Sequence, residues 1–374
     1  MHSNWLLDSF LLALFLGLGL AQVPILLTKK ALGFYNTGQP DLCVVWARRA
    51  LVWPAARPIR VSALHAAGLG LSEQNRLVEA EAEYRKAYQL SAQQPGSDLA
   101  ARSLTLLAMS QANQGQVEEA LASVRQVASW SPTVRRDALV GSADWLRMLG
   151  RWDEALEALH AARQTPPLPT PTFEMRSQGI VSLGVAWTEA AAAQARGDRV
   201  AADRAWAWLE QAQRAFGGDK KLLLWCDATA AWIMALRGQT DDARRILAQT
   251  RAALPEFAQS RGTQQNSLSM LGRAALLTGD YAEGKRLWME FLDTRPTRPS
   301  ETRGLYYLGE CLRLSGEVEP AERAYRRAVS LGVETYYVRC AEGRLAEMGL
   351  FPEPRPERPE PPVTVWPPPP RAGF

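Results

Sequence analysis

The 374-residue sequence predicts an all-α protein in which helical hairpins stack into a solenoid. Alanine is abundant, while runs of Val, Ile and Thr are scarce, and this composition favours helices over strands. A turn residue also recurs about every 40 residues, with small side chains at fixed distances on both sides of it. One helical hairpin cannot bury its apolar face alone, so such hairpins must stack on one another.

The first element is an apolar segment, residues 1–23, and the run Phe10–Thr28, which begins in this segment and continues past it, carries no charge. Its length suits a single bilayer-spanning helix that anchors the protein in a membrane. Basic residues such as Lys29 follow it, which predicts that the rest of the chain lies in the cytoplasm. Two alternatives stay open: a signal peptide cleaved after Gly19–Ala21, which would place the protein in the periplasm or outside the cell, and a buried first helix.

Eight turns set the register of the array. They are Gly38, Asn75, Gly115, Gly150, Gly197, Gly238, Gly279 and Gly316. The residue five positions after each turn is small: Cys43, Ala80, Ala120, Ala155, Ala202, Ala243, Gly284 and Ala321. The residue seven positions before each turn is Gly or Ala: Ala31, Gly68, Ala108, Ala143, Ala190, Ala231, Gly272 and Gly309. Small side chains at both positions allow two antiparallel helices to approach closely.

The position nine residues after each turn is apolar or aromatic. The eight residues are Ala47, Tyr84, Val124, Leu159, Trp206, Leu247, Trp288 and Tyr325. We expect this side chain to fill the gap to the next hairpin, since its own hairpin is held together by small residues.

Three further segments complete the predicted organisation. Proline interrupts helices, so the proline-rich residues 166–173 are expected to divide the array into parts 24–165 and 174–350. A last helix, Tyr336–Met348, carries polar residues that suit a solvent-facing cap, among them Arg339, Glu342, Arg344 and Glu347. Residues 351–374 are rich in proline and are predicted to form a disordered tail.

These spacings resemble the tetratricopeptide repeat (TPR), a helix-turn-helix unit of about 34 residues. The segment Ala101–Val134 matches the family pattern best, with Leu104 and Ala108 on its first helix and Ala120 and Val124 on its second. The resemblance implies an α-solenoid of about eight TPR-like units. It also implies a concave groove, lined by the first helices, that receives an extended peptide or a partner helix.

Motifs of catalysis are lacking from the sequence, which contains no glycine-rich phosphate loop, HExxH, GxSxG or zinc-binding spacing. The four cysteines and three histidines are scattered along the chain. We therefore expect no enzyme activity, no catalytic or metal site, no cofactor and no small-molecule substrate. The net charge of +4 is small, and no Lys/Arg cluster forms the basic face of a nucleic-acid-binding protein.

Aromatic and basic residues in the later repeats form the candidate groove. The predicted partner-binding residues are Trp187, Trp225, Trp232, Arg273, Arg303, Tyr306 and Arg313. Trp225 and Trp232 are seven positions apart and therefore share one helix face. Tryptophans flanked by arginines fit a protein or peptide partner that is acidic or aromatic. The alternative interpretation is that the tryptophans pack between helices as core residues.

The sequence as a whole predicts a membrane-anchored scaffold or adaptor that binds a protein partner through the groove of its C-terminal half. Two other functions stay open. One is a secreted or periplasmic factor in envelope or pilus assembly, and the other is a regulatory array of a signalling or transcription system.

Overall fold

A computed structural model describes residues 22–94, 97–130, 132–168, 170–258 and 260–350. Within these ranges the chain forms seventeen α-helices and one short 3-10 helix, with no strand. Most of the predicted anchor and the proline-rich tail lie outside the described residues. None of the described helices is both long and apolar enough to cross a bilayer.

The helices follow one another as hairpins of a first and a second helix. The first four hairpins are α1 (22–36) with α2 (Pro40–Val52), α3 (Arg57–Glu73) with α4 (Leu77–Ser91), α5 (Asp98–Asn113) with α6 (Val117–Trp130), and α7 (Pro132–Leu149) with α8 (Trp152–Arg163). The next four are α9 (Pro171–Arg196) with α10 (Arg199–Phe216), α11 (Lys220–Leu236) with α12 (Thr240–Ala253), α13 (Arg261–Leu277) with α14 (Tyr281–Asp293), and α15 (Arg298–Leu314) with α16 (Val318–Ser330). The 3-10 helix Leu254–Phe257 follows α12, and α17 (Tyr336–Glu347) ends the described chain.

All eight predicted turn residues have a positive φ, from 60° at Asn75 to 95° at Gly115. This left-handed conformation ends a helix without steric cost when the residue is glycine, and asparagine tolerates it better than most residues. The register derived from the sequence is therefore confirmed at every hairpin.

The chain divides into two compact units. Unit 1 extends to Gln111 and includes Ala122–Val134, while unit 2 comprises Ala112–Leu121 and the chain from Arg135 onward. The proline-rich residues 166–173, at which we predicted a boundary, lie inside unit 2.

One arginine of α7 explains why the proline-rich segment does not coincide with the division. Arg136 is 3% exposed, and its guanidinium donates to Thr165 Oγ1 at 2.7 Å and to the carbonyl oxygens of Thr165 and Pro166 at 3.2 and 3.1 Å. It also donates to Glu174 Oε2 on α9 at 2.7 Å, and this hydrogen bond lowers the pKa of Glu174 to about 2. Because one buried side chain binds both ends of the segment, α7 and α9 are joined across the prolines.

The residues nine positions after the turns are buried, except Trp206, which is half-buried. Their partners differ from the prediction at three hairpins, where the aromatic ring covers a glycine of its own first helix. A Cβ added at Gly68 or Gly309 would lie 2.4 Å from the ring of Tyr84 or Tyr325. The expectation that this side chain fills the gap to the next hairpin is therefore wrong for these aromatics, because each ring is broad enough to reach back across its own hairpin.

Trp288 covers Gly272 in the same way, at 2.7 Å from the position of an added Cβ. Leu159 behaves as expected, since a Cβ added at Gly184 of the next hairpin would lie 2.9 Å from its Cδ2. At these three hairpins a glycine before the turn accompanies a fully buried aromatic after it, and the ring takes the space that a Cβ would occupy. The half-buried Trp206 instead accompanies Ala190.

Helix α17 was predicted to be a solvent-facing cap, and this holds for only part of its surface. Its Tyr336 ring packs edge-on against Trp152 with 5.4 Å between ring centroids. The Arg339 guanidinium donates to the carbonyl oxygen of Leu149 at 2.7 Å, and Arg344 donates to Glu310 at 3.0 Å. Within unit 2, the last helix therefore contacts the turn between α7 and α8. The spacing of residues within a single hairpin does not predict this contact.

Candidate binding pocket in unit 2

The first helices of unit 2 surround one pocket of about 140 Å³. Side chains of α7, α9, α11, α13 and α15 contribute to its walls, together with Trp152 of α8 and Tyr337 of α17. Four of the seven predicted groove residues line it: Trp187, Trp232, Arg273 and Arg303. Each comes from a different first helix: Trp187 from α9, Trp232 from α11, Arg273 from α13 and Arg303 from α15.

The three predicted tryptophans have different environments. Trp232 has no exposed surface, and its indole Nε1 donates to Gln194 Oε1 at 3.0 Å, so it supports the pocket wall from behind. Trp187 is half-buried and donates to Thr229 Oγ1 at 2.7 Å. Trp225 packs against Trp187 with 6.1 Å between ring centroids and is not a lining residue. The core interpretation therefore applies to Trp232, whereas Trp187 faces the pocket.

Arg273 is the most deeply buried charge of the pocket, with 3% of its surface exposed. Its Nη2 donates to the hydroxyl oxygen of Tyr337 at 2.6 Å, and its guanidinium lies 4.4 Å from the Trp232 ring centroid and 4.9 Å from that of Tyr307. Cation–π contacts of this kind stabilise a desolvated cation by about 2 kcal/mol. Its Nε has no hydrogen-bond partner among the described residues.

Arg303 on helix α15 also has a buried Nε group without a hydrogen-bond partner in the described part of the chain. Its guanidinium lies 5.5 Å from the Phe291 ring centroid. Burial lowers the pKa of Arg303 to about 10; Tyr337 opposes this shift, while the positive charges of Arg273 and Arg147 add to it. The side chain remains a cation at neutral pH and is repelled by its neighbours.

Asp144 and Arg147 on α7 belong to the pocket, although the sequence did not single them out as a site. Arg147 binds Asp144 through Nη2, and its guanidinium lies 5.2 Å from the Trp187 ring centroid. Asp144 is the only acidic residue among those that line the described pocket. Since Arg147 occupies this carboxylate, the charges of Arg273 and Arg303 have no anionic partner in the pocket.

Tyr306 and Arg313 lie on the same helix as Arg303 but in a different cluster. Arg313 donates to Glu310 Oε2 at 3.1 Å, and Glu310 also accepts hydrogen bonds from Tyr325 and Arg344. Although burial would raise the pKa of Glu310, the hydrogen bonds from Arg313 and Tyr325 hold it below its usual value.

Tyr306 packs against Tyr307, Tyr325 and Tyr337 and is half-buried. Neither Tyr306 nor Arg313 is among the lining residues of the pocket. The pocket thus brings together four of the seven predicted residues and leaves Trp225, Tyr306 and Arg313 outside it.

Only one of the lining residues that the prediction missed has a signal in the sequence. Arg147 lies three positions before the turn residue Gly150, and this position can be compared between hairpins in the same way as the positions used above. Tyr337 lies on α17, which has no following hairpin, and its place beside Arg273 follows from how α17 packs in unit 2. The described residues contain no group of three His, Cys, Asp or Glu side chains that could hold a metal ion.

Comparisons with known proteins agree with the helical-hairpin fold. The tetratricopeptide repeat model matches residues 101–126, 224–249 and 265–288. A comparison with curated proteins finds no matching sequence.

Three of the solved structures that match this chain have low sequence identity to it. A tetratricopeptide repeat protein from Parabacteroides merdae is 17% identical, with 75% of this chain and 96% of that chain covered and a TM-score of 0.44. NprR in complex with its cognate peptide NprX is 14% identical, with 74% and 82% covered and a TM-score of 0.48. Naa15/Naa10 bound to HypK-THB is 16% identical, with 86% and 56% covered and a TM-score of 0.30.

The repeat model places its matches on α5 and α6, on α11 and α12, and on α13 and α14. Each match spans one of the turns with positive φ and the small residues around it. The chain therefore contains tetratricopeptide repeats, which the family model matches at three of its eight hairpins.

Proposed function

We propose that this protein is a scaffold that binds an acidic segment of a protein partner at the inner face of unit 2. The observation that carries the proposal is the convergence of Trp187, Trp232, Arg273 and Arg303 on one pocket, from four successive first helices. Membership of a repeat family that mediates protein–protein interactions supports the general function.

The charge of the pocket supports the choice of partner. Arg147, Arg273 and Arg303 face a single carboxylate, that of Asp144, among the lining residues. An acidic group of the partner would neutralise the positive charge of Arg273 and Arg303, which no carboxylate among the lining residues balances. The surrounding rings give such a group a water-poor environment, in which each charge-assisted hydrogen bond is stronger than on an open surface.

Site-specific crosslinking in intact cells tests this proposal. A photoreactive amino acid at Asn266, a half-buried lining residue on α13, is expected to crosslink the partner. The control position is Val200 on α10, which is 64% exposed and does not line the pocket. The same product should disappear when Arg303→Glu is introduced together with the crosslinker at Asn266, because a carboxylate repels the acidic segment.

The proposal fails if Asn266 yields no product, or if a product forms equally from Val200. It also fails if the Asn266 product persists in the folded Arg303→Glu variant. Circular dichroism of that variant establishes that it is folded, so that loss of the product reports on binding.

Attachment to a membrane through residues 1–23, with the repeats in the cytoplasm, remains a separate proposal that rests on the sequence alone. N-terminal sequencing of the mature protein, together with fractionation of the cells, tests it. An intact N-terminus in the membrane fraction is expected. A new N-terminus directly after Ala21 would instead favour the periplasmic or secreted alternative.

A further inference from the structure

The excess positive charge of the chain is concentrated around its first hairpin, α1 and α2. Between residues 22 and 60 the only acid is Asp41, and Asp8 is the only charged side chain before them. The basic residues between 22 and 60 are Lys29, Lys30, Arg48, Arg49, Arg57 and Arg60. Subtracting these from the 43 Lys and Arg and 39 Asp and Glu of the whole chain leaves 37 of each sign in residues 61–374. Any net attraction to an anionic surface therefore comes from the region of the first hairpin.

Helix α2 exposes an apolar face. Leu42, Val45 and Val52 are 40, 43 and 83% exposed. With Arg49 they follow spacings of three, four and three residues, so they share one side of the helix. Trp53, directly after α2, is 37% exposed. Single exposed apolar residues are common on folded proteins, but a row of them along one helix marks an interaction surface.

Helix α1 extends this face through contacts with Trp46. Lys30 Nζ lies 3.9 Å from the centroid of the Trp46 ring, and the Phe34 ring stacks on the same ring with 6.4 Å between centroids. Leu26, one turn before Lys30, is 63% exposed. We call this surface the first-hairpin face, and it comprises Leu26, Lys30, Leu42, Val45, Trp46, Arg49, Val52 and Trp53.

Two cations of the first-hairpin face have no carboxylate beside them. The Arg49 guanidinium lies 4.9 Å from the Trp46 ring centroid, so Lys30 and Arg49 are both placed at one ring. Neither of them forms an ion pair with another described residue. Asp41 instead accepts a hydrogen bond from Gln74 Nε2 at 2.9 Å. The face thus combines apolar side chains with positive charges that the described chain does not neutralise.

An anionic membrane surface matches this combination. Lys and Arg side chains reach lipid phosphates, Trp rings prefer the boundary between headgroups and acyl chains, and aliphatic side chains enter its apolar edge. A nucleic acid would match the charges alone, because it offers no apolar phase for Leu42 or Val52. The position in the sequence agrees, since the uncharged run Phe10–Thr28 continues into α1 and ends directly before Lys29.

We propose that the first-hairpin face binds the surface of a membrane that contains anionic phospholipids. Its apolar side chains lie at the headgroup boundary, while Lys30 and Arg49 pair with lipid phosphates. This contact goes beyond attachment through residues 1–23, because it holds the folded repeats themselves against the bilayer. It does not depend on the acidic partner proposed for the pocket of unit 2.

Photocrosslinking to lipid tests the proposal with the 374-residue chain in vesicles. A photoreactive amino acid replaces Val52, and the vesicles contain phosphatidylglycerol and phosphatidylcholine in equal amounts or phosphatidylcholine alone. Lipid adducts from position 52 should be at least about fivefold more abundant in the anionic vesicles, because basic residues are attracted to a negative surface potential. The control position is Val200 on α10, which is 64% exposed. Equal adducts in both kinds of vesicle, or as many from position 200 as from position 52, would overturn the proposal.

Charge variants test the two cations. Lys30→Gln combined with Arg49→Gln is expected to lower the adducts from position 52 at least about fivefold in anionic vesicles. The matched control combines Lys220→Gln with Arg298→Gln, which removes the same charge at two exposed positions outside the face. Unchanged adducts in the Lys30 and Arg49 variant, with helicity retained by circular dichroism, would overturn the proposal. If that variant does not fold, the comparison of the two kinds of vesicle decides alone.

The same experiment distinguishes other occupants of the face. A covalent dimer from position 52 in place of a lipid adduct would assign the face to a second copy of the chain. Loss of the adduct when duplex DNA is added at a phosphate concentration equal to that of the lipid would assign it to a nucleic acid. Either result would overturn the lipid proposal.

Attachment through residues 1–23 is measured separately, as protein that stays with the vesicles after extraction at strongly alkaline pH. Retention without lipid adducts from position 52 would remove the present proposal and leave that attachment in place. Adducts from position 52 in protein that alkaline extraction releases would keep the first-hairpin face and remove the attachment. Crosslinking of a partner from Asn266 is not affected by either result.

Discussion

Units 1 and 2 share their hairpin packing but differ in the polar groups of their first helices. In unit 1, His65 Nε2 on α3 lies 2.8 Å from Ser103 Oγ on α5, and Ser91 donates to the same oxygen at 3.2 Å. These neutral groups satisfy one another. In unit 2, Arg273 and Arg303 hold charges and Nε donors that no described residue satisfies.

The difference separates packing from binding. The glycine and aromatic pair of Gly68 and Tyr84 in unit 1 has the same close approach as Gly309 and Tyr325 in unit 2, so the packing requirement is common to both units. A satisfied polar network contributes to stability, whereas unsatisfied buried donors cost stability. Arg273 and Arg303 show the second situation with charged groups, whereas the other buried polar atoms without a partner among the described residues, such as Gln111 Oε1 in unit 1 and Trp288 Nε1 in unit 2, belong to neutral side chains.

The largest expected effect tests the shared packing. Gly68→Ala and Gly309→Ala should each lower the free energy of unfolding of their unit by about 2–3 kcal/mol, because the new Cβ meets a buried aromatic ring. Urea denaturation followed by tryptophan fluorescence and circular dichroism measures the loss. A markedly smaller loss of stability in either unit would show that the two units do not share this packing requirement.

Gly343→Ala is the matched control for these substitutions. A Cβ at Gly343, on α17, would meet no heavy atom within 4 Å. Alanine also favours the helical conformation, so this variant should be stabilised by about 0.5–1 kcal/mol.

A medium effect is expected from acidification of unit 1. Burial lowers the pKa of His65 to about 4 from its usual 6.5, and the nearby charge of Arg102 adds to this shift. Between these two pH values the unfolded chain binds a proton that the folded chain does not, so the stability present above pH 6.5 is lost as the pH falls towards 4.

At pH 5 the loss amounts to about 2 kcal/mol, since each pKa unit corresponds to about 1.4 kcal/mol. Hydrogen exchange of the α3 and α5 amides at pH 7 and pH 5, corrected for intrinsic exchange, measures it. In His65→Gln the difference between the two pH values should shrink, and an unchanged difference would show that other groups are responsible.

The smallest effect distinguishes the two kinds of polar group directly. Ser103→Ala should cost about 1–2 kcal/mol, because His65 loses its partner and Ser91 keeps only the carbonyl oxygen of Tyr88. Arg303→Met should cost nothing measurable or raise the melting temperature, because it removes a repelled and unsatisfied charge. Differential scanning calorimetry measures both changes, and a large loss in Arg303→Met would assign that arginine to the core.

Local physics explains which parts of the fold the sequence predicted. A residue with positive φ is favourable for glycine and asparagine whatever surrounds it, so each turn can be located from a short window of sequence. The burial of Ala80, Ala155 and Ala321 follows from the same window, since helices that pack closely need small residues at a fixed distance from the turn.

The pocket was accessible to sequence reasoning only in part. Period and spacing placed Trp187, Trp232, Arg273 and Arg303 on inward faces, and these residues line one pocket. The same reasoning grouped them with Tyr306 and Arg313, which lie beside Glu310 in a separate cluster. A helix face is about 100° wide, so residues on the same face of α15 can lie either in the pocket or in the cluster around Glu310.

The sequence by itself determined the helical class, the eight hairpins and the positions where helices must touch, because these depend on contacts within one hairpin. Only the tertiary structure decided that Arg339 of α17 binds the carbonyl oxygen of Leu149, and that Tyr337 meets Arg273. Such contacts join residues up to 190 positions apart and depend on small rotations that accumulate from one hairpin to the next. The sequence of one repeat does not determine the total rotation between distant hairpins. The arrangement of the residues that line the pocket therefore follows from the packing of unit 2 as a whole.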